Sequence, residues 1–180
     1  MFPTLESLTD EEEKSFAHPK GYYTEQRSRI GSIAKTVKPK LILELGTWQG
    51  YGALLLAQSS GGHVVTVDFL LESYIAGMRQ AIEGNCFIHP VFMDGRQYVT
   101  EVATLLPFDF CHLDMDHNYN SSVLILSILT KMESMQNIVV HDCDSINHDE
   151  YRACTDFLSK DSTWDGDCKY GVYWLRKLHS

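Results

Sequence analysis

The sequence predicts a doubly wound α/β sandwich with a mostly parallel sheet, an antiparallel last strand and a helical arm at the N-terminus. Three observations carry that prediction. From residue 41 onwards, short apolar runs alternate with helix-periodic stretches, the pattern of a parallel sheet covered by helices on both faces. The runs are continuous, as in Val64-Val65 and Ile138-Val139-Val140, which fits strands buried on both faces. The first run, Leu41-Ile42-Leu43-Glu44-Leu45, passes straight into Gly46-Thr47-Trp48-Gln49-Gly50, a glycine turn that opens a helix.

Strands are expected at 41–45, 64–69, 87–93, 108–114, 137–141 and 170–177. Helices are expected at 50–58, 71–83, 97–105, 121–132 and 149–159. Gly61-Gly62, Gly84-Asn85 and Pro107 fall between these elements, where turn formers belong. Residues 1–39 differ in character and read as a helical arm or lid before a core at 40–180. Thr9-Asp10-Glu11-Glu12-Glu13 has the composition of a helix start, with Thr9 or Asp10 as N-cap and acids in the first turn. A second arm helix is expected over 24–36, ended by Pro39, with Tyr22 and Tyr23 just before it as lid residues. The segment Trp164-Asp165-Gly166-Asp167-Cys168-Lys169 reads as a hairpin turn, with a pocket rim as the alternative.

Composition narrows the function classes. The apolar fraction of 44% is that of an ordinary globular chain, and no apolar run approaches the ~20 residues needed to span a bilayer. Five cysteines without a CxxC pair argue for reduced thiols, and the N-terminus lacks the basic and apolar regions of a leader. Both point to a cytoplasmic protein. A net charge of −9 disfavours nucleic-acid and membrane partners. A homodimer is compatible with everything above.

Ligands of a parallel α/β sheet bind beyond the carboxyl ends of its strands. All five of the first expected strands end on a carboxylate: Glu44, Asp68, Asp94, Asp114 and Asp142. Asp68 follows Gly46 by 22 residues. Strand, glycine turn, helix and an acid at the next strand tip together form a nucleoside-binding half-site. Asp68 is expected to accept the ribose hydroxyls, with the Phe69 ring against the adenine. Each of these acids has a plainer reading as a helix N-cap.

The spacing Glu44-x-Gly46-x-x-x-Gly50 is not the G-x-G-x-x-G of dinucleotide sites and favours S-adenosylmethionine over NAD. With Trp48 in the turn and Tyr51 after it, the segment resembles motif I of class I S-adenosylmethionine-dependent methyltransferases. In particular it resembles the small O-methyltransferases of the catechol and caffeoyl-CoA type, and it also resembles the cephalosporin-hydroxylase-like sugar O-methyltransferases. The resemblance runs from about Tyr22 to the C-terminus and implies a Rossmann-like methyltransferase sandwich. It implies a cofactor site from Glu44, Gly46, Thr47, Trp48, Gly50, Tyr51, Asp68, Phe69, Asp94 and Gly95, with Asp114 and Asp116 beside it. In that pattern Glu44 orders the turn near the amino-acid part of the cofactor, and Asp94 serves the adenine amino group. Trp48 packs against the methionine moiety or plugs the core. The N-terminal arm lies over the cofactor in the resembled enzymes, although a plain packing helix fits the arm equally well.

A second segment, Asp114-Met115-Asp116-His117, resembles the family pattern of a strand-ending aspartate followed by another aspartate and a base. The match makes Asp114 a metal ligand, His117 the general base, and Asp116 a contact to cofactor or substrate. Val139-Val140-His141-Asp142-Cys143-Asp144 ends the fifth strand. Carboxylates from two neighbouring strands suit Mg²⁺ or Mn²⁺. The third ligand is open between His141, which stands where the sugar enzymes have an acid, and Asp144. Cys143 occupies the position of an asparagine in the catechol type, and Gly52 that of a serine in many relatives. The function expected is metal-assisted O-methylation of a small hydroxylated acceptor, a sugar or a phenolic. The rivals are a non-catalytic cofactor-binding domain of a larger complex and an NAD-dependent or hydroxylase-type enzyme on the same fold.

Overall fold

The computed structural model describes residues 22–83 and 87–178. The expected helix start at Thr9 and Asp10, the turn at Gly84-Asn85 and the lid role of the Tyr22 and Tyr23 side chains lie outside it.

The chain runs α1 (Tyr22–Val37), β1 (Leu41–Leu45), α2 (Tyr51–Ser60), β2 (His63–Asp68), α3 (Leu71–Glu83), β3 (Ile88–Phe92) and α4 (Gly95–Glu101). A 3₁₀ turn (Ala103–Leu105) leads to β4 (Phe110–Leu113), α5 (Tyr119–Leu129), β5 (Asn137–Val140), α6 (Asp149–Leu158), β6 (Trp164–Lys169) and β7 (Val172–Lys177). One seven-stranded sheet has the order β3-β2-β1-β4-β5-β7-β6. The pairs β1–β2, β2–β3, β1–β4 and β4–β5 are parallel, while β7 runs antiparallel to both β5 and β6. The chain order reverses between β1 and β4, so the topological switch point lies beside the Gly46 turn.

Strand alternation splits the core into two layers. Leu43, Leu45, Cys111, Leu113, Ile138 and Val140 face α4, α5 and α6 and pack with Ile125, Leu126 and Leu129. Ile42, Val64, Phe110 and Val139 face α1 and α2 and pack with Ile30, Ile33, Leu55 and Leu56. Both faces are filled, which is why the strands read as unbroken apolar runs.

Two expectations need correction. The segment at 164–169 is a strand. Asp165, Gly166 and Asp167 are turn formers with poor strand propensity, but β6 pairs along its length with β7. Arg176 holds Asp165 at 2.9 Å and Asp167 at 3.3 Å, and Arg29 of α1 also pairs with Asp167. The tight turn sits instead at Tyr170 and Gly171, both at positive φ (54° and 71°), as a two-residue hairpin of the primed type requires. The helix expected at 97–105 begins two residues earlier, because Asp94 caps it, and gives way after Glu101 to the 3₁₀ turn.

Candidate active site at the carboxyl edge of the sheet

The glycine turn is built against the end of β4. Gly46 has φ of 97°, and a Cβ there would lie 1.9 Å from the Asp114 carbonyl oxygen. Its N–H donates to the Val67 carbonyl at 2.9 Å. The Thr47 and Trp48 amides donate to Asp68 Oδ2 at 3.0 and 3.1 Å, and Leu70 N donates to Oδ1 at 2.9 Å. A carboxylate offers about four acceptor sites, so the Asp68 carboxylate is largely committed to the turn and a ribose diol would have to share it. Phe69 beside it is exposed. Gly50, at φ of 77°, precedes Tyr51 and caps α2 without a side-chain bond. Trp48 is 51% exposed, which removes the core-plug alternative.

Beneath the turn lies a buried polar cluster. Glu44, 1% exposed, accepts from the Thr66 hydroxyl at 2.5 Å and faces His112 Nδ1 at 3.2 Å. Thr66 in turn meets the Thr47 hydroxyl at 2.6 Å. Burial pushes the Glu44 carboxyl above its usual range, against the pull of His112 and Thr66. Glu44 therefore ties β1, β2, β4 and the turn together from below. A Cβ at position 52 would lie 2.3 Å from Glu44 Oε1, which explains why glycine replaces serine there.

At the third strand end, Asp94 accepts from the Arg96 and Gln97 amides at 2.9 and 3.1 Å, as a helix N-cap. The Arg96 guanidinium folds back to Asp94 at 2.9 Å and reaches Asp116 at 3.6 Å. That contact holds the Asp94 carboxyl below its usual range. Asp116 also accepts from the Ser121 hydroxyl at 2.9 Å. Gly95 is buried, with Met115 Sδ 3.0 Å from where a Cβ would sit. Sequence reasoning missed Arg96, whose place between two site acids depends on the tertiary packing that brings Asp116, after β4, beside the start of α4.

The fourth and fifth strand ends converge. Asp114, His117 and Asp142 place one ligand atom each within 4.8 Å of one another, a donor set that suits a divalent cation. His117 and Asp142 both have left-handed backbone, at φ of 42° and 52°. Non-glycine residues in this region carry strain that the surrounding structure must hold, and such strain concentrates at functional sites.

His141, expected as the third ligand, lies beside this trio, while the trio itself is completed by His117. His141 Nδ1 lies 2.9 Å from Asp114 Oδ1 and 3.7 Å from Asp142, while Nε2 lies 2.8 Å from Gln26 Oε1 on α1. Acceptors at both ring nitrogens fit an imidazolium. Burial would lower the His141 pKa, but Asp114 outweighs it and the value rises to about 9; the same pair holds Asp114 well below the carboxylate range. Asp144 turns to His148 at 2.6 Å. Cys143 is buried, its thiol pushed up by Cys154 and by burial.

His117 has a further neighbour that the sequence did not reveal. Its Nδ1 lies 3.0 Å from Glu150 Oε1 on α6, and Nε2 lies 3.5 Å from Asp142. The Glu150 contact raises the His117 pKa, against burial. An acid in the first turn of a helix ordinarily reads as a solvated dipole partner, yet Glu150 is only 5% exposed.

The His141–Asp114 pair gives the metal-free protein a pH-dependent stability. His141 keeps its proton up to about 9 when folded, against 6.5 when unfolded. The stabilisation is fully present below 6.5 and is lost as pH rises through about 9. The difference corresponds to on the order of 3 kcal/mol. Melting in excess chelator should therefore fall by several degrees between pH 6.5 and 9; a flat profile there would contradict the pairing.

Sheet order, glycine turn and acidic strand ends together define the Rossmann-like methyltransferase fold. Solved structures of that fold match nearly the whole chain. An O-methyltransferase from Bacillus cereus, in complex with SAH, shares 16% identity at a TM-score of 0.70, over 93% of this chain and 86% of that one. The SAH-bound methyltransferase PaMTH1 from Podospora anserina shares 16% identity at 0.67, over 97% and 84%. The O-methyltransferase TomG from Streptomyces achromogenes, in complex with SAM and involved in tomaymycin synthesis, shares 14% at 0.62, over 87% and 80%. No protein-family model matches the sequence, and no curated protein does. Among the described residues no helix is long and apolar enough to cross a membrane.

Proposed function

We propose that this chain is an S-adenosylmethionine-dependent O-methyltransferase acting on a small hydroxylated acceptor, a sugar or a phenolic, with a divalent cation. The observation that carries this reading is the convergence of Asp114, His117 and Asp142 within 4.8 Å, beside the glycine turn at the switch point of the sheet. In this reading the turn from Gly46 to Gly50 and Asp68 hold the nucleoside. Asp94, Gly95 and Asp116 border it, and Glu44 keeps the turn in place from below. The link from His141 to Gln26 supports an arm helix that helps shape the acceptor pocket.

Mg²⁺ or Mn²⁺ held by Asp114 and Asp142 would lower the pKa of an acceptor hydroxyl and orient it. His117 stands at the same corner, and Glu150 orients its ring and raises its basicity. With S-adenosylmethionine bound, the acceptor oxygen would attack its sulfonium methyl in line, the O–C bond forming as the S–C bond breaks, and His117 would take the hydroxyl proton.

The test is formation of S-adenosylhomocysteine from S-adenosylmethionine with catechols, hydroxycinnamates and sugars, with Mg²⁺ and with chelator. Turnover should need the cation and show an acid limb above pH 6.5, the ordinary imidazole value. In Glu150→Gln that limb should move to lower pH. Full turnover in chelator would remove the cation from the account. Cofactor binding without turnover on any acceptor would favour the non-catalytic domain.

A further inference from the structure

Helix α3 meets the sheet through its small side. Ser73 and Gly77 are buried, and a Cβ on Gly77 would lie 3.0 Å from Pro90 Cβ of β3. The far side carries the bulk: Leu71, Ile75, Met78 and Ile82 are 55%, 49%, 40% and 74% exposed. At 3.6 residues per turn these four fall within about 60° of one another on the helix surface. A helix on a sheet ordinarily turns such a stripe inward; here it faces solvent.

The spacing says what covers it. Steps of four, three and four residues are the a/d seam of a coiled coil, with Leu71 and Met78 at d and Ile75 and Ile82 at a. A seam of this kind packs against another helix with the same seam. We propose that α3 is a self-association surface, on which two copies of this chain pair their α3 helices antiparallel about a twofold axis.

The flanking charges select the copy and its direction. Glu72 and Arg79, both exposed, each follow a d residue. With the axis between Ile75 and Met78, the layers are Leu71 on Ile82 and Ile75 on Met78, each formed twice. Glu72 then comes opposite Arg79 of the partner subunit, also twice. A parallel pair would instead set Arg79 against Tyr74 of the other copy and leave Glu72 facing no residue of that helix, with no charge to meet.

Sedimentation of the full chain at micromolar concentration should give twice the mass of one chain. Ile75→Glu buries a charge in each central layer and should weaken association by at least ~100-fold. The double variant Ile75→Glu/Met78→Lys should restore it, because opposite charges then meet across the axis. Both sites are exposed, so circular dichroism should match the wild type. As an independent pair, Glu72→Lys should weaken the dimer and Glu72→Lys/Arg79→Glu should recover it. A monomeric wild type, a dimer indifferent to Ile75→Glu, or charge swaps that fail to rescue would each overturn the proposal. The first would leave the face to another segment of the chain or another protein.

Discussion

Replacing Asp114 with asparagine should reduce methyl transfer by roughly 10³-fold while S-adenosylhomocysteine still binds. Asparagine keeps the shape and one acceptor oxygen, so the His141 Nδ1 contact at 2.9 Å survives in weaker form. What disappears is the negative charge that faces the His141 imidazolium and that the proposed cation would need. Without it the His141 pKa should drop from about 9 towards 6.5, and the melting-temperature change between those pH values should flatten. A purely structural Asp114 would lower stability and leave turnover per folded molecule unchanged. Activity within tenfold of wild type, with normal folding, would sink the cation-holding role.

Gly46→Ala should cost at least about 4 kcal/mol or prevent folding, by summing two penalties that single substitutions rarely combine. The backbone sits at φ of 97°, where an L side chain is strained by roughly 1–3 kcal/mol. The new methyl would also meet the Asp114 carbonyl at 1.9 Å, and relief requires β1 and β4 to part at the switch point. Urea unfolding measures the loss, and a cost below about 1 kcal/mol would show that the turn relaxes freely. The cation corner should suffer with it, since Asp114 is the residue pushed.

The sheet was legible because its physics is local: continuous apolar runs for strands filled on both faces, glycine and proline between elements, and an acid at each of five strand ends. Strand β6 was not, because its Asp-Gly-Asp centre reads as turn formers and is held extended by pairing with β7 and by ion pairs to Arg176 across the hairpin and to Arg29, 138 residues away. The glycine turn was legible down to Gly46, whose positive φ and contact with β4 demand that residue. The corner beside it was only half legible. Left-handed backbone at His117 and Asp142 re-aims both side chains; histidine and aspartate tolerate that region, but their presence alone does not mark it. His117 consequently joins the two carboxylates, while His141 turns to Gln26, 115 residues away in sequence. Glu150 and Arg96 escaped for a similar reason: each looks like a solvated helix residue until helix packing brings it to an acid or an imidazole.

The central claim is that this edge binds S-adenosylmethionine next to a divalent cation. Isothermal titration of the full chain with S-adenosylhomocysteine, run with Mg²⁺ and again with chelator, tests it most directly. The account predicts micromolar binding under both conditions, with affinity or heat shifted by the cation and the shift abolished in Asp114→Asn. No binding under either condition would contradict it, leaving the glycine turn as a packing device at the switch point of the sheet.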